Sequence, residues 1–310
     1  RNNYMKNSIF SNRKTAPFWA FFCAAGWSLA YPLIKLGYVQ LHIASDDLGS
    51  KIGFAGIRFL FAGILVTILA IIQKRKFKVE QKSVVAWLLL FALVNTALHY
   101  LFSYVGLGYL PSSRSTILDS MNGFFAIILS CIIFEDDKFS KFKALGCILG
   151  FSGILLINIE PGQNFFQGIS FRGDGMILLN AMCGAFGGII TRIISKKMDM
   201  TVATSLSMTI GGAFLFVVSA IIGPAARWTI TTESIIIMIG LILISAVCFG
   251  VYNQLLAYHP ISKIAIFNAF IPILGVIFSS IILGEPMRIK YIIAGCMVAL
   301  GVYVMNHFSK

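Results

Sequence analysis

A carboxylate inside an apolar run is the group with the clearest chemical potential in this chain. Asp119 stands about 8 residues into the apolar stretch 112–134, roughly 12 Å along a helix that rises 1.5 Å per residue. A charge at that depth in a membrane is costly and by default marks a functional site. Ser115, Asp119 and Asn122 follow at i, i+4 and i+3 spacing, so one helical face carries all three. Such a stripe can line a cavity, with Asp119 holding a substrate ammonium or carrying a proton. The alternatives are a permanent ion pair with Arg58 or a hydrogen-bonded knot with His99.

Other polar residues interrupt apolar runs in the same way. Asn95 and His99 are four apart and share a face of the stretch 84–108. A histidine titrates close enough to neutral pH for a proton-linked step. Tyr252, Asn253 and Gln254 are consecutive, so they cannot all face one way, and Tyr252 or Asn253 is expected to face the cavity. Trp27 could stack on a substrate or anchor packing. Arg58, about seven residues inside the stretch 52–72, is expected to be structural and could snorkel to the outer interface along its aliphatic stem. Lys35 and Arg192 read as interfacial anchors.

The elements that position these groups follow from composition. Of 310 residues, 58% are hydrophobic and only 12% are charged, whereas a soluble domain carries about 45–50% apolar and about 25% charged residues. A spanning helix needs about 20 apolar residues. Ten stretches qualify: 16–40, 52–72, 84–108, 112–134, 142–159, 173–194, 201–223, 234–257, 261–284 and 290–307. The chain is therefore expected to be an all-α polytopic membrane protein with the lipid bilayer as its surroundings. The basic segment before residue 16 leads into a long apolar run without a small-x-small cleavage site, which reads as an anchor and not a signal peptide.

The net charge of +13 does not indicate nucleic acid, because Lys and Arg sit in short loops where they set topology. One set of segment ends carries 17 of them and the opposite set six. The positive-inside rule then places both termini in the cytoplasm. The six cysteines lie inside apolar runs without CxxC spacing, and the four histidines are scattered. Neither a disulfide framework nor a metal site is expected, and no cofactor is implied. G-x-x-x-x-G-K-[ST], HExxH and GxSxG patterns do not occur, which removes ATP hydrolysis and the common hydrolases. An intramembrane lipid-modifying enzyme is the remaining enzyme reading, and no catalytic constellation supports it.

The chain also repeats itself. GYLPSSRSTILD at 108–119 is echoed by AYHPISKIAIFN at 257–268. Tyr109 and Tyr258, Pro111 and Pro260, Ser113 and Ser262, Arg114 and Lys263, and Asp119 and Asn268 are each 149 positions apart by subtraction. Asn268 is thus the repeat counterpart of Asp119, and Arg114 and Lys263 become candidate gates at opposite mouths. Glu135 and Glu285 extend the match at a spacing of 150. Residues 1–160 and 161–310 read as two units of five spans each. An odd number of spans per copy forces the second copy to enter the membrane upside down, giving an inverted-topology repeat.

On these residues the chain resembles the drug/metabolite transporter superfamily in its ten-helix form with two EamA-type repeats. The resemblance rests on AAGWSLAYPLIK at 24–35, Arg58 in GIRFLFAG, the apolar runs ending in Glu135 and Glu285, and Pro272. The first copy carries Asn122, within DSMNGFF, at the position equivalent to Pro272. The resemblance implies a secondary transporter of the bacterial inner membrane. Spans 3, 4, 8 and 9 would line its cavity and spans 1, 2, 6 and 7 would gate it. It also favours export of a small metabolite. One acid among neutral amides and a His suits an amino acid or an amine better than a sugar phosphate. The candidate substrate-binding set is Asp119, Asn122, Asn95, His99, Tyr252, Asn253, Asn268 and Trp27. The alternative function is a proton-coupled exporter of organic cations or drugs. The sequence carries no signal for oligomeric state.

Overall fold

The computed structural model describes residues 9–77, 82–133, 140–158, 168–223, 228–259, 264 and 266–308. These residues form helices and connecting turns, with no strand among them. In chain order the helices are α1 (Ala16–Gln40), α2 (Leu48–Ile72), α3 (Ser83–Leu107), α4 (Ser112–Ile133), α5 (Lys141–Asn158), α6 (Phe171–Ile194), α7 (Met200–Ile222), α8 (Thr232–Tyr258), α9 (Phe267–Leu283) and α10 (Ile289–Phe308).

Local chemistry fixes several ends. Asp47 caps α2 by accepting from Ser50 N at 2.9 Å, and Asp199 caps α7 by accepting from Thr201 N at 2.8 Å. Thr231 and Ser234 form a reciprocal capping box at α8. Gly284 stops α9 at φ +65°, a left-handed conformation that glycine adopts without a side-chain clash.

Seven of these helices are long and apolar enough to cross a membrane, namely α1–α4 and α6–α8. The apolar parts of α9 and α10 are shorter, at Phe267–Leu283 and Ile289–Val304. The outward faces are apolar: Ile221 is 78% exposed and Ile281 74%. A soluble monomer does not carry such large continuous apolar patches, so this surface belongs against lipid.

Packing is pairwise. α2 lies along α7, α5 along α10, α1 along α8 and α9, and α6 along α3 and α4. Small residues permit the first two contacts. A Cβ at Gly212 would strike the backbone of Phe59 and Leu60, and one at Gly301 would meet Gly146 O at 2.6 Å. Close backbone approach of this kind is how helices associate where no hydrophobic effect drives them.

The helices depart from regular geometry where the polar residues lie. α1 contains Pro32, α3 carries a π-helical turn at Ala92–Leu98, and α4 breaks at Ser120. A 3₁₀ turn at Ile266–Phe270 leads into α9. Such irregularities free backbone groups and recur at functional sites.

Candidate functional site

Three helices bring the polar residues of the first half together. Asn180 of α6 donates its side-chain amide to the Asp119 carboxylate of α4. Its backbone oxygen lies 3.0 Å from His99 Nδ1 of α3. A carbonyl can only accept, so Nδ1 carries a proton. The Tyr31 hydroxyl of α1 also interacts with Asp119. No cation among the described residues lies within ion-pair distance of this carboxylate.

Asn95 and Asn122 complete the cluster. Their amides rest against Gly187 and Gly184 of α6, where a Cβ would collide with each of them. Glycine on α6 is what lets two polar side chains reach this depth. The π-helical turn holds Asn95, and the α4 break follows directly on Asp119.

A second cluster joins α1, α8 and α9. The rings of Trp27 and Tyr252 lie 4.9 Å apart at 65°. Asn268 donates its amide to the Tyr252 hydroxyl at 3.0 Å. Within this cluster Trp27 Nε1 and Asn268 Oδ1 are buried without a hydrogen-bond partner among the described residues, as is Asn180 Oδ1 in the first. An unmet buried donor or acceptor costs about 1–3 kcal/mol. Orphaned atoms of both polarities therefore surround Tyr252. Trp27 and Tyr31 are one turn apart on α1, roughly 6 Å of rise, so α1 connects the two clusters.

Some expected residues lie elsewhere. Asn253 points to Thr204 of α7, and Gln254 bonds Thr201 of the same helix at 3.1 Å. They tie α8 to α7 and take no part in either cluster. Arg58 does not snorkel. It is 2% exposed, and donates to Leu241 O at 3.2 Å, Ser245 Oγ at 2.8 Å and the Tyr104 hydroxyl at 3.0 Å. Partners on α8 and α3 hold it inside the bundle, so it forms neither an interfacial anchor nor an ion pair with Asp119. Asp119 and His99 do not bond each other; each bonds Asn180, one at its side-chain amide and one at its backbone oxygen.

At the α3–α4 hairpin the start of α4 is clasped twice. Arg114 bonds Asp174 of α6, with Nε at 2.9 Å and Nη2 at 2.6 Å. Glu285, beyond α9, accepts from Ser112 N at 2.7 Å, Ser113 N at 3.0 Å and Ser113 Oγ at 2.6 Å. A carboxylate suits a helix N-terminus, where unpaired N–H groups and the helix dipole both favour negative charge. Lys263, the other gate candidate, lies outside the described residues.

Asn180 and Tyr31 are site residues that the sequence reading passed over. A lone amide in the apolar run MILLNAMCGAFGG was the available signal for Asn180. Tyr31 stands four residues after Trp27. Among the described residues, no group of three His, Cys, Asp or Glu side chains is placed to hold a metal ion.

Comparison with known proteins agrees with a membrane carrier. The pattern of the EamA-like transporter family matches residues 14–159 and again 171–307. The uncharacterized transporter YvbV of Bacillus subtilis is 26% identical over 288 residues, covering 92% of this chain and 89% of its own. The WAT1-related protein At3g02690, chloroplastic, of Arabidopsis thaliana is 25% identical over 261 residues, covering 81% of this chain and 62% of its own. One crystal structure superposes with a TM-score of 0.67 over 96% of this chain and 98% of that one. At 13% identity this is a likeness of fold alone. With two matches that span most of its length, the chain is a multi-pass membrane protein belonging to the EamA-like transporter family.

Proposed function

We propose that this transporter carries a small metabolite, an amino acid in the first instance, by alternating access through a central cavity. The observation that carries the reading is the Asp119 carboxylate, which accepts from the Asn180 amide, lies near the Tyr31 phenol, and has no cation within ion-pair distance among the described residues. A buried carboxylate left unpaired is expensive, and a substrate ammonium would supply the missing charge. Asn122, Asn95, His99 and Asn180 would bind at the first cluster, and Tyr252, Asn268 and Trp27 at the second.

Ten spans in two inverted five-helix repeats, residues 1–160 and 161–310, are the architecture we infer. Exchanging each helix with the one five places on turns the α1–α8 contact into α6–α3, and α1–α9 into α6–α4. The same exchange leaves α2–α7 and α5–α10 as themselves. The double family match supports the same division. The positive-inside count supports cytoplasmic termini in a bacterial inner membrane, with the α3–α4 hairpin facing out. A cysteine placed at Gly162 should then label from outside, and one at Lys141 should not. The opposite pattern would sink the orientation.

The substrate test is counterflow in liposomes, with labelled amino acids and then amines, comparing wild type with Asp119→Asn. Exchange of an amino acid that the variant loses is the expected result, with export as the working direction. The same lone acid favours a second reading, a proton-coupled exporter of organic cations. That reading requires exchange of a cation alone and loss of pH-driven efflux in Asp119→Asn.

A further inference from the structure

The cleft beside the α3–α4 hairpin holds an ammonium group with no direct hydrogen-bond or ion-pair partner among the described residues. Its volume is about 350 Å³, and Lys35, Tyr109, Ser113, Glu285, Arg288 and Tyr291 are among the residues that line it. Lys35 is half-buried near the end of α1. Its Nζ has no hydrogen-bond or ion-pair partner among the described residues. Glu285 is the acid it feels. That carboxylate accepts from three donors at the start of α4 and makes no direct contact with the ammonium.

The surroundings carry charge of both signs. Lys51 is fully buried with its Nζ 4.3 Å from the Tyr109 ring centroid. It is held by Ser45 O and by the nearby Asp46 and Asp47. Arg288 stands at the cleft rim. A desolvated ammonium gains most from a hydrogen-bonded anion, since such charge-assisted contacts are about twice as strong as neutral ones. Tyr109, Leu110, Pro111 and Pro286 supply apolar walls for the remainder of a small molecule.

The cleft is also connected to the candidate site. Lys35, Tyr31 and Trp27 fall at successive i, i+4 positions of α1, so one face of this helix carries all three. Tyr31 meets Asp119, and Trp27 meets Tyr252. Along that face a cation, an acid and an aromatic follow at roughly 6 Å intervals.

We propose that this cleft is the outer carboxylate subsite of the transporter, with Lys35 as the group that captures the carboxylate of the substrate. The proposal rests on the amino-acid reading given above and on the outward placement of the α3–α4 hairpin. Lys35 thereby discriminates a carboxylate-bearing substrate from the corresponding amine, which Asp119 alone does not.

The first test needs no transport. Right-side-out membrane vesicles carrying the full chain are treated with a membrane-impermeant amine reagent, and Lys35 modification is read by peptide mass spectrometry. Probes are leucine and isovalerate, with isoamylamine as the carboxylate-free control and inorganic phosphate as the competing anion. Lys35 should label from outside, and leucine and isovalerate should protect it where isoamylamine does not. No labelling of Lys35, equal labelling with every probe, or protection by phosphate alone would each overturn the assignment. The second test is counterflow with Lys35→Gln and Lys35→Arg. Lys35→Gln should raise the external KM for the amino acid by about 10–100-fold, the worth of one hydrogen bond to a charged group. It should leave the amine unchanged, and Lys35→Arg should restore most of the loss. Equal effects on both substrates would make Lys35 a structural partner of Glu285 and nothing more. Protection without any amino-acid counterflow in wild type would retain the subsite and remove the amino-acid reading.

Discussion

Asn180 on α6 offers its amide to the Asp119 carboxylate, 61 residues earlier in the chain. This contact joins α6 to α4 inside the bundle, and the same residue takes His99 of α3 on its backbone oxygen at 3.0 Å. One residue therefore holds the acid through its side chain and the imidazole through its backbone.

That relationship predicts an asymmetric response to mutation. Asn180→Leu leaves a buried carboxylate short of a donor and should lower stability by about 1–3 kcal/mol. Replacing both partners with apolar residues, as in Asp119→Leu with Asn180→Leu, should recover most of that stability while exchange stays absent. Thermal melting in detergent and counterflow read the two effects separately. A double variant no more stable than Asn180→Leu would show that the amide does not serve the carboxylate.

Glu285 predicts a second, local effect. Its oxygens satisfy two backbone N–H groups and one hydroxyl at the start of α4. Losing a helix cap costs about 0.5–2 kcal/mol, so Glu285→Ala should destabilise within that range. Glu285→Gln keeps one acceptor oxygen and should fall between the variant and wild type. Both should increase modification of a cysteine introduced at Ser113, because the start of α4 loses its cover. Unchanged modification would mean that other contacts close this mouth.

Adjacent glycines on α6 give a third test with an internal control. A Cβ at Gly187 runs into the side chain of Asn95, while one at Gly188 meets nothing within 4 Å. Gly187→Ala should cost about 1–3 kcal/mol through overpacking and should impair transport by displacing Asn95. Gly188→Ala should be neutral or stabilising by up to about 1 kcal/mol, since alanine favours helix. Equal behaviour of the two variants would put α6 in a different rotation against α3.

The site was partly legible in the sequence, for physical reasons. Asp119, Asn122, Asn95 and His99 announced themselves because polar groups at membrane depth are expensive and same-face spacing is readable. The structure gathers them against α6. Tyr252, Asn253 and Gln254 show where the reading ends. Consecutive helical residues point about 100° apart, so only tertiary packing decides which one faces inward. Tyr252 meets Trp27, while its two neighbours bond the α7 threonines. Arg58 reads as structural in the sequence and is so, but its partners were illegible for a related reason. Its depth was readable, but its acceptors belong to Leu241, Ser245 and Tyr104, which are far away in the chain. Asn180 has a polar side chain in an apolar run but no same-face polar partner to call attention to it. Of the ten stretches expected from hydropathy, seven are helices long and apolar enough to cross a membrane among the described residues, and the apolar parts of α9 and α10 are shorter.

Arg114 and Asp174 give the last prediction. Their side chains are 13% and 4% exposed, so the pair is largely removed from water. Asp174 Oδ2 accepts from Ser170 N at 2.9 Å, and Arg114 also donates to Gly168 O at 2.9 Å. The start of α4 is thereby fastened to the start of α6. Breaking a buried pair by removing one partner costs about 3–5 kcal/mol, because the other charge is left uncompensated. Arg114→Ala should destabilise within that range, and Asp174→Ala should do likewise. The double variant should cost less than the two singles together, with an interaction term of about 0.5–3 kcal/mol. If the clasp is a gate, the double variant should also admit an impermeant thiol reagent from outside to a cysteine at Ser115, which is buried and follows Arg114 in the chain. A coupling energy without increased reagent entry would make the pair a structural rivet. Increased entry with retained exchange would assign it the task of closing this mouth during the transport cycle.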